Sequence, residues 1–231
     1  PLKKAVEAAN KMSEGDMKVD LTSNSKDETG VLMQAFERMH DSIELLVTDT
    51  NNLSQTLVAG RLGTRADVSK HKGAYRELIT GINNTVEALV TPLQTSTNYL
   101  DRISVGDIPP RITEDYKGDF NKVKESVNRC VDAIGLLISE IDKSIYEVHE
   151  GHLRYKADVT KHQGDYRKIM EGTNNLVEAF VEPLSEIDDF LLKVANGDAS
   201  VQPMTKEYKG NFNDVKNSVN FLHSTLMFVL Q

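Results

Sequence analysis

Residues 75–103 read YRELITGINNTVEALVTPLQTSTNYLDRI, and their periodicity decides the fold. The apolar positions are Tyr75, Ile79, Ile82, Val86, Leu89 and Leu93, then a weak Ser96, then Leu100 and Ile103. They alternate steps of four and three residues, which is the seam of a coiled coil or a parallel helical bundle. The same steps return 91 residues later at Tyr166, Met170, Thr173, Val177, Phe180, Leu184, Ile187, Leu191 and Val194. Each stretch carries a proline near its middle, Pro92 and Pro183, where a long helix disfavours one.

Outward from this pair, the whole chain repeats. Gly15, Gly60, Gly106, Gly151 and Gly197 each close a helix and open a loop, and Gly30, Gly73, Gly118, Gly164 and Gly210 close the loops. The period is about 45 residues. Pro1, Pro92 and Pro183 are each followed by leucine and mark the start of every odd unit. The expected units are residues 1–47, 48–91, 92–138, 139–182 and 183–231. They alternate in type. The even units share the run from Ala66 to Arg76 with the run from Ala157 to Arg167; units three and five share Tyr116-Lys117-Gly118 with Tyr208-Lys209-Gly210.

Each unit reads helix, connector, helix. In unit one Leu2, Val6, Ala9 and Met12 are expected to face inward, and Gly15 stops the helix because it accepts left-handed dihedrals. Apolar pins recur at the second and sixth positions after the glycine: Met17 and Leu21, Leu62 and Ala66, Ile108 and Ile112, Leu153 and Ala157, with Ala199 and Pro203 a weaker last pair. Twelve extended residues can run back the whole length of a 16-residue helix, at roughly 3.3 Å each against ~1.5 Å per helical residue. The two helices of a unit are therefore expected to lie parallel. Asp27 and Glu28 suit the start of the second helix by capping and by the helix dipole.

The seam continues through every second helix, and these residues are the expected dimer core. They are Leu32, Phe36, Met39 and Ile43 in unit one, then Ile79, Ile82, Val86 and Leu89. Val123, Val127 and Ile134 follow in unit three, Met170, Val177 and Phe180 in unit four, and Val215, Val219, Leu222 and Leu226 in unit five. No loop signal separates a second helix from the next first helix, so adjacent units are joined by uninterrupted helix.

Composition agrees with helices that bury their stripes against a partner chain. Trp is absent, aromatics are 6% of residues and 27% are charged, leaving few large side chains for a central monomeric core. The net charge of −8, with no basic run, disfavours nucleic acid and anionic membrane surfaces as partners. Cys130 is a lone cysteine at a core-type helical position and is read as a small apolar side chain in a reducing compartment. No apolar run approaches the ~20 residues of a membrane span. The chain starts without Met and ends within the apolar pattern of Leu222, Leu226, Val229 and Leu230, as expected of a segment of a larger protein.

Polar motifs are weighed against plain alternatives. Glu37 and His40 have the Glu-x-x-His spacing of di-iron bundles, but their seam neighbours Phe36 and Met39 turn them outward as a surface pair. His71 and His162 hold equivalent connector positions, where loop polarity or helix capping suffices. In Asn83-Asn84 and Asn174-Asn175 the first asparagine lies at the seam's edge and the second faces outward, as solvated or inter-helix polar groups. No Cys/His cluster, phosphate loop or nucleophile–base pair is seen, and neither metal nor cofactor is expected.

The array of helix, connector and helix resembles a poly-HAMP segment, the tandem relay module of bacterial chemoreceptors and sensor histidine kinases. The resemblance is carried by Pro1, Gly15 with Met17 and Leu21, the Asp27-Glu28-Thr29-Gly30 signature and the seam from Leu32 to Leu46. Units two to five lack that signature and carry Gly-x-Tyr or Gly-x-Phe instead, so they resemble divergent members of such arrays. The resemblance implies an all-α fold in which each unit forms a parallel four-helix bundle with the same unit of a second chain. The bundles stack into an elongated rod. It also implies a non-catalytic cytoplasmic relay between an upstream sensor and a downstream output domain of the same chain. A static coiled-coil spacer is the competing expectation. Plain heptads would serve a spacer, and the repeated connectors argue against it. An enzyme or metal-binding bundle is the third.

Overall fold

The structure is a computed structural model that describes residues 2–23, 25, 27–198 and 200–229. Pro1, Ala199 and Leu230, and the side chains of Leu2 and Val229, lie outside the described residues. Among the described residues every regular element is helical. The helices are α1 (Leu2–Ser13), α2 (Glu28–Val58), α3 (Gly73–Ser104), α4 (Asp119–His149), α5 (Gly164–Ala195) and α6 (Asn211–Val229). Two short 3-10 turns, Val68–Lys70 and Val159–Lys161, lie in the second and fourth connectors. None of these helices is long and apolar enough to cross a membrane.

Each of α2 to α5 joins a second helix to the next first helix without a break. The helices α3 and α5 run on through Pro92 and Pro183, whose rings are buried. A proline inside a helix removes one backbone hydrogen bond and crowds the preceding turn. Burying the ring returns apolar contact at both sites.

The chain divides into two compact bodies, one covering residues up to Asp101 with Glu114–Lys124, the other Arg102–Thr113 with the residues from Glu125 onward. In the first body Ala5, Ala8, Leu21 and Met33 form a buried cluster, with Val19 and Phe36 against it. The alanines let α1 approach α2 closely. The expected inward face of α1 is thereby shifted: Ala5, Ala8 and Met12 are buried, while Val6 is 54% exposed. The seam spacing marked an apolar stripe, and only part of it is covered by the chain's own α2 and connector.

The helices of a unit run parallel. Early in α1, Ala5 and Ala8 meet Met33, near the start of α2; Met17, just beyond the end of α1, meets His40 farther along α2. The connector runs back between them, so that Lys4 bonds to the Thr22 carbonyl at 3.0 Å and to Asp20 at 2.6 Å. The second body shows the same sense. Phe180 packs edge-on against Phe212, and Phe190 likewise against His223, so α5 and α6 advance together.

Candidate functional site: the connector anchors

Five helix ends close in one way. Asp16, Arg61, Asp107, His152 and Asp198 each donate a backbone N–H to the carbonyl five residues earlier, at 2.8–3.2 Å. The glycine before each has φ between 78° and 85°, and it donates to the carbonyl three residues earlier. This paired closure satisfies helix-end carbonyls and needs a residue that tolerates the left-handed region. It turns the chain back along the helix it has just left.

An asparagine then grips the middle of the connector in units two to five. Asn83 Oδ1 accepts from the Ala66 N–H at 3.0 Å while Asn83 Nδ2 donates to the Ala66 carbonyl at 2.8 Å. The same two bonds join Asn128 to Ile112, Asn174 to Ala157 and Asn220 to Met204. The carboxamide offers one acceptor and two donors, so it can satisfy both peptide groups of an extended residue that has no neighbouring strand. In unit one the equivalent position is His40, whose Nε2 lies 2.7 Å from the Met17 carbonyl.

The foot of each connector touches the start of the first helix. The residue two before the closing glycine is His71, Tyr116, His162 or Tyr208. His71 Nε2 lies 3.1 Å from Asp49 Oδ2, and Tyr116 donates its hydroxyl to Thr95 at 3.3 Å. Burial, and then the bond its hydroxyl donates to Glu186, push the Tyr208 phenol up to about 12. His162 is as buried as His71, and the facing Glu140 bonds instead to Lys161 at 2.6 Å. Arg76 and Arg167 brace the feet from the second helix, donating Nε to the carbonyls of His71 and His162.

Charged pairs run along the connector flanks. Arg65 pairs with Glu87, and 91 residues on Lys156 pairs with Glu178 at 2.7 Å. Lys206 lies 2.5 Å from both Glu182 and Glu186, which raises the ammonium above its usual range. Lys4, and then Thr22, hold the Asp20 carboxyl well below the ordinary carboxylate range. The hydroxyls of Ser69, Thr160 and Ser200 lower Asp67, Asp158 and Asp198 in turn. These groups are solvent-exposed, and exposed pairs add little to stability individually.

Unit one enters its second helix differently from the rest. Asp27 caps α2 by accepting from the N–H groups of Thr29 and Gly30 at 3.0 and 3.1 Å. The Ser25 hydroxyl, ahead of the Gly30 N–H, keeps this carboxyl low. Glu28 begins the helix and is exposed. Gly30 lies within the first turn, where a Cβ would stand 2.0 Å from the Ser25 carbonyl oxygen. Gly73, Gly118, Gly164 and Gly210 instead have φ between 50° and 57° with open space around them.

The apolar pins are placed unevenly. Leu21, Ile112 and Ala157 are buried, and Met17, Ala66, Ile108 and Leu153 are half-buried. Leu62 is 39% exposed. Pro203 is exposed and has no N–H to offer, and Met204 takes its place on Asn220. The expected dimer-core residues fall into three sets. Ile79, Val86, Val127 and Met170 are buried by the chain itself. Phe36, Ile43, Ile82, Ile134, Val177 and Val219 are half-covered. Leu32, Met39, Leu89, Val123, Phe180, Val215, Leu222 and Leu226 are 37–52% exposed. Cys130 is half-buried, and Glu37 is exposed.

Profiles of the HAMP domain match residues 1–45 and, in a second form of the family, residues 70–135 and 161–227, which together are more than half of the chain. The chain belongs to the HAMP domain family. The two later HAMP matches begin at Lys70 and Lys161, in the 3-10 turns, and each runs through the next connector to the following second helix. The chain is also similar to the methyl-accepting chemotaxis protein McpB of Pseudomonas aeruginosa, at 24% identity over 93 residues. That stretch covers 40% of this chain and 14% of the length of McpB. No solved structure matches the chain.

Proposed function

We propose that this tandem HAMP segment is a non-catalytic relay that passes helix rotation or packing changes along a parallel homodimer. Its five units, residues 1–47, 48–91, 92–138, 139–182 and 183–231, form successive four-helix bundles stacked end to end. The upstream sensor and downstream output domains lie on the same chain, in the cytoplasmic part of a chemotaxis receptor. The likeness to McpB supports the receptor setting over a kinase.

The observation that carries this reading is the row of half-exposed seam residues. Leu89, Phe180, Leu222 and Leu226 are 42–52% exposed although they hold the regular bundle spacing. Such a stripe on otherwise polar helices is stabilised when a second copy covers it. The connectors tie each first helix to its own second helix, so a shift of one moves the other. A bundle with small residues among large ones has alternative packings that a neighbour can bias.

The test is disulfide cross-linking of single cysteines at seam positions such as Leu89 and Leu222, in a Cys130→Ser background of the full receptor. Cross-links between identical positions, with rates that change when the stimulus is applied, are expected. Rates unchanged at every unit would leave a static spacer, and absence of cross-links would remove the parallel dimer.

A further inference from the structure

The two even units carry the same parts 91 residues apart: a first-helix carboxylate, Asp49 or Glu140, facing a Lys-His pair, Lys70-His71 or Lys161-His162. The bonds differ. In unit two the carboxylate goes to the inner histidine, with the Asp49 and His71 side chains 14% and 1% exposed. In unit four it goes to the outer lysine, with Glu140 and Lys161 10% and 48% exposed. The His162 ring is left in the same buried position, and its Nε2 has no hydrogen-bond partner.

A buried polar nitrogen without a partner is costly. The group that satisfies its counterpart in unit two is present one position away in unit four. Glutamate is one methylene longer than aspartate, which lets its carboxylate pass the ring and reach the lysine. The surroundings are otherwise matched: Arg76 and Arg167 hold the two histidine carbonyls at 3.0 and 3.1 Å, and Asp67 and Asp158 cap the two 3-10 turns.

We infer that the first-helix carboxylate of each even unit is a two-position latch, set on the inner histidine in unit two and on the outer lysine in unit four. The inner setting ties the connector foot to the first helix by a part-buried, charge-assisted bond. The outer setting moves the tie to the surface and frees the ring. In the structure each carboxylate is set on one of the two partners, Asp49 on His71 and Glu140 on Lys161. The latch concerns the packing of this chain alone and stands whether or not the segment relays a signal.

NMR of the chain with nitrogen-15-labelled histidine tests it, with three variants. Lys161→Met removes the outer partner and keeps the stem; Glu140→Asp copies unit two. In both, the His162 Nε2 proton is expected to become slowly exchanging and to resemble that of His71, and amide exchange across Val159–Lys161 is expected to slow about tenfold, the lower end of what one bond to a charged group supplies. Asp49→Glu should do the reverse and release His71. The undisturbed histidine in each sample is the internal reference, and circular dichroism reports that the fold is kept. His162 signals unchanged in both unit-four variants would overturn the latch, as would a carboxylate-bonded His162 in the unaltered chain. Should a unit-four variant fail to fold, the His71 response to Asp49→Glu decides alone: release supports the latch and retention overturns it.

Discussion

Asn128 holds both peptide groups of Ile112, accepting from its N–H at 2.7 Å and donating to its carbonyl at 3.0 Å. Both residues are buried, at 2% and 3% exposure. The connector residue is extended and has no strand beside it, so the side chain substitutes for a strand's backbone. This is the most buried of the four asparagine grips, and the connector of unit three is fixed by it.

Asn128→Ala is therefore expected to leave a buried donor and a buried acceptor unpaired, at about 1–3 kcal/mol for each. Asn83→Ala should cost less, because Asn83 and Ala66 are half-buried and water can replace the carboxamide. Urea unfolding gives the ranking, and amide exchange at Ile112 and Ala66 gives the local effect. Equal costs at the two sites would mean that burial does not set the strength of the grip.

The glycines of the second helix starts separate by cause. Gly118→Ala meets no neighbour and is strained only by its φ of 57°, an expected loss of about 1–2 kcal/mol. Gly118→Asn should lose less and Gly118→Val more, since asparagine tolerates this region and a β-branched side chain does not. Gly30→Ala drives a Cβ into the Ser25 backbone, with oxygen and carbon at 2.0 and 2.8 Å, and backbone cannot swing aside as a side chain can. Thermal melts should show Gly30→Ala as the worst of the four, and an asparagine at position 30 should give no rescue.

Much of this architecture is legible in the sequence because it rests on periodicity and on glycine. The steps of four and three locate α2 to α5 and their fusions, and the spacing of Gly15, Gly60, Gly106, Gly151 and Gly197 locates the connectors. The grips are not legible from hydropathy, since a carboxamide at a seam's edge has the same pattern whether it meets water or a backbone. A fixed count would have found them: Asn83, Asn128, Asn174 and Asn220 each lie ten residues after a loop-closing glycine. Counting pins from the opening glycine misplaces Pro203 for a related reason. The gripped residue lies six before the closing glycine in units three and five and seven before it in units two and four, where a 3-10 turn takes up one residue more. Seam spacing also cannot say which chain covers a position. Ile79 and Leu89 share one stripe, yet the first is fully buried and the second 49% exposed.

That contrast separates folding from association. Ile79→Asp places a charge where the chain itself excludes water, and the lone chain should unfold. Leu89→Asp should leave the helical content of the chain nearly unchanged while abolishing its dimer, and Ile82→Asp, half-covered, should weaken both. Circular dichroism and sedimentation read the two effects separately. A Leu89→Asp chain that still dimerised would mean that this face is not the interface.

Unit one has a histidine where the later units have asparagine, and this makes its grip sensitive to pH. His40 Nε2 lies 2.7 Å from the Met17 carbonyl, and Nδ1 lies 3.2 Å from Asp41 and 3.9 Å from Glu44. The Met17 carbonyl, and then Asp41, raise the imidazole above its ordinary value, against a smaller opposing effect of burial. A group whose folded-state pKa is raised contributes stability fully below its unfolded value, about 6.5 for histidine, and loses that contribution as pH climbs through the folded value. The advantage of the natural chain over His40→Gln, which keeps a donor but cannot take a charge, should be largest near pH ~6 and shrink by pH ~9. Melting both proteins across that range, with an NMR titration of His40 beside them, checks the sign. A constant difference, or one that grows with pH, would show that His40 does not grip Met17 as the charged imidazolium.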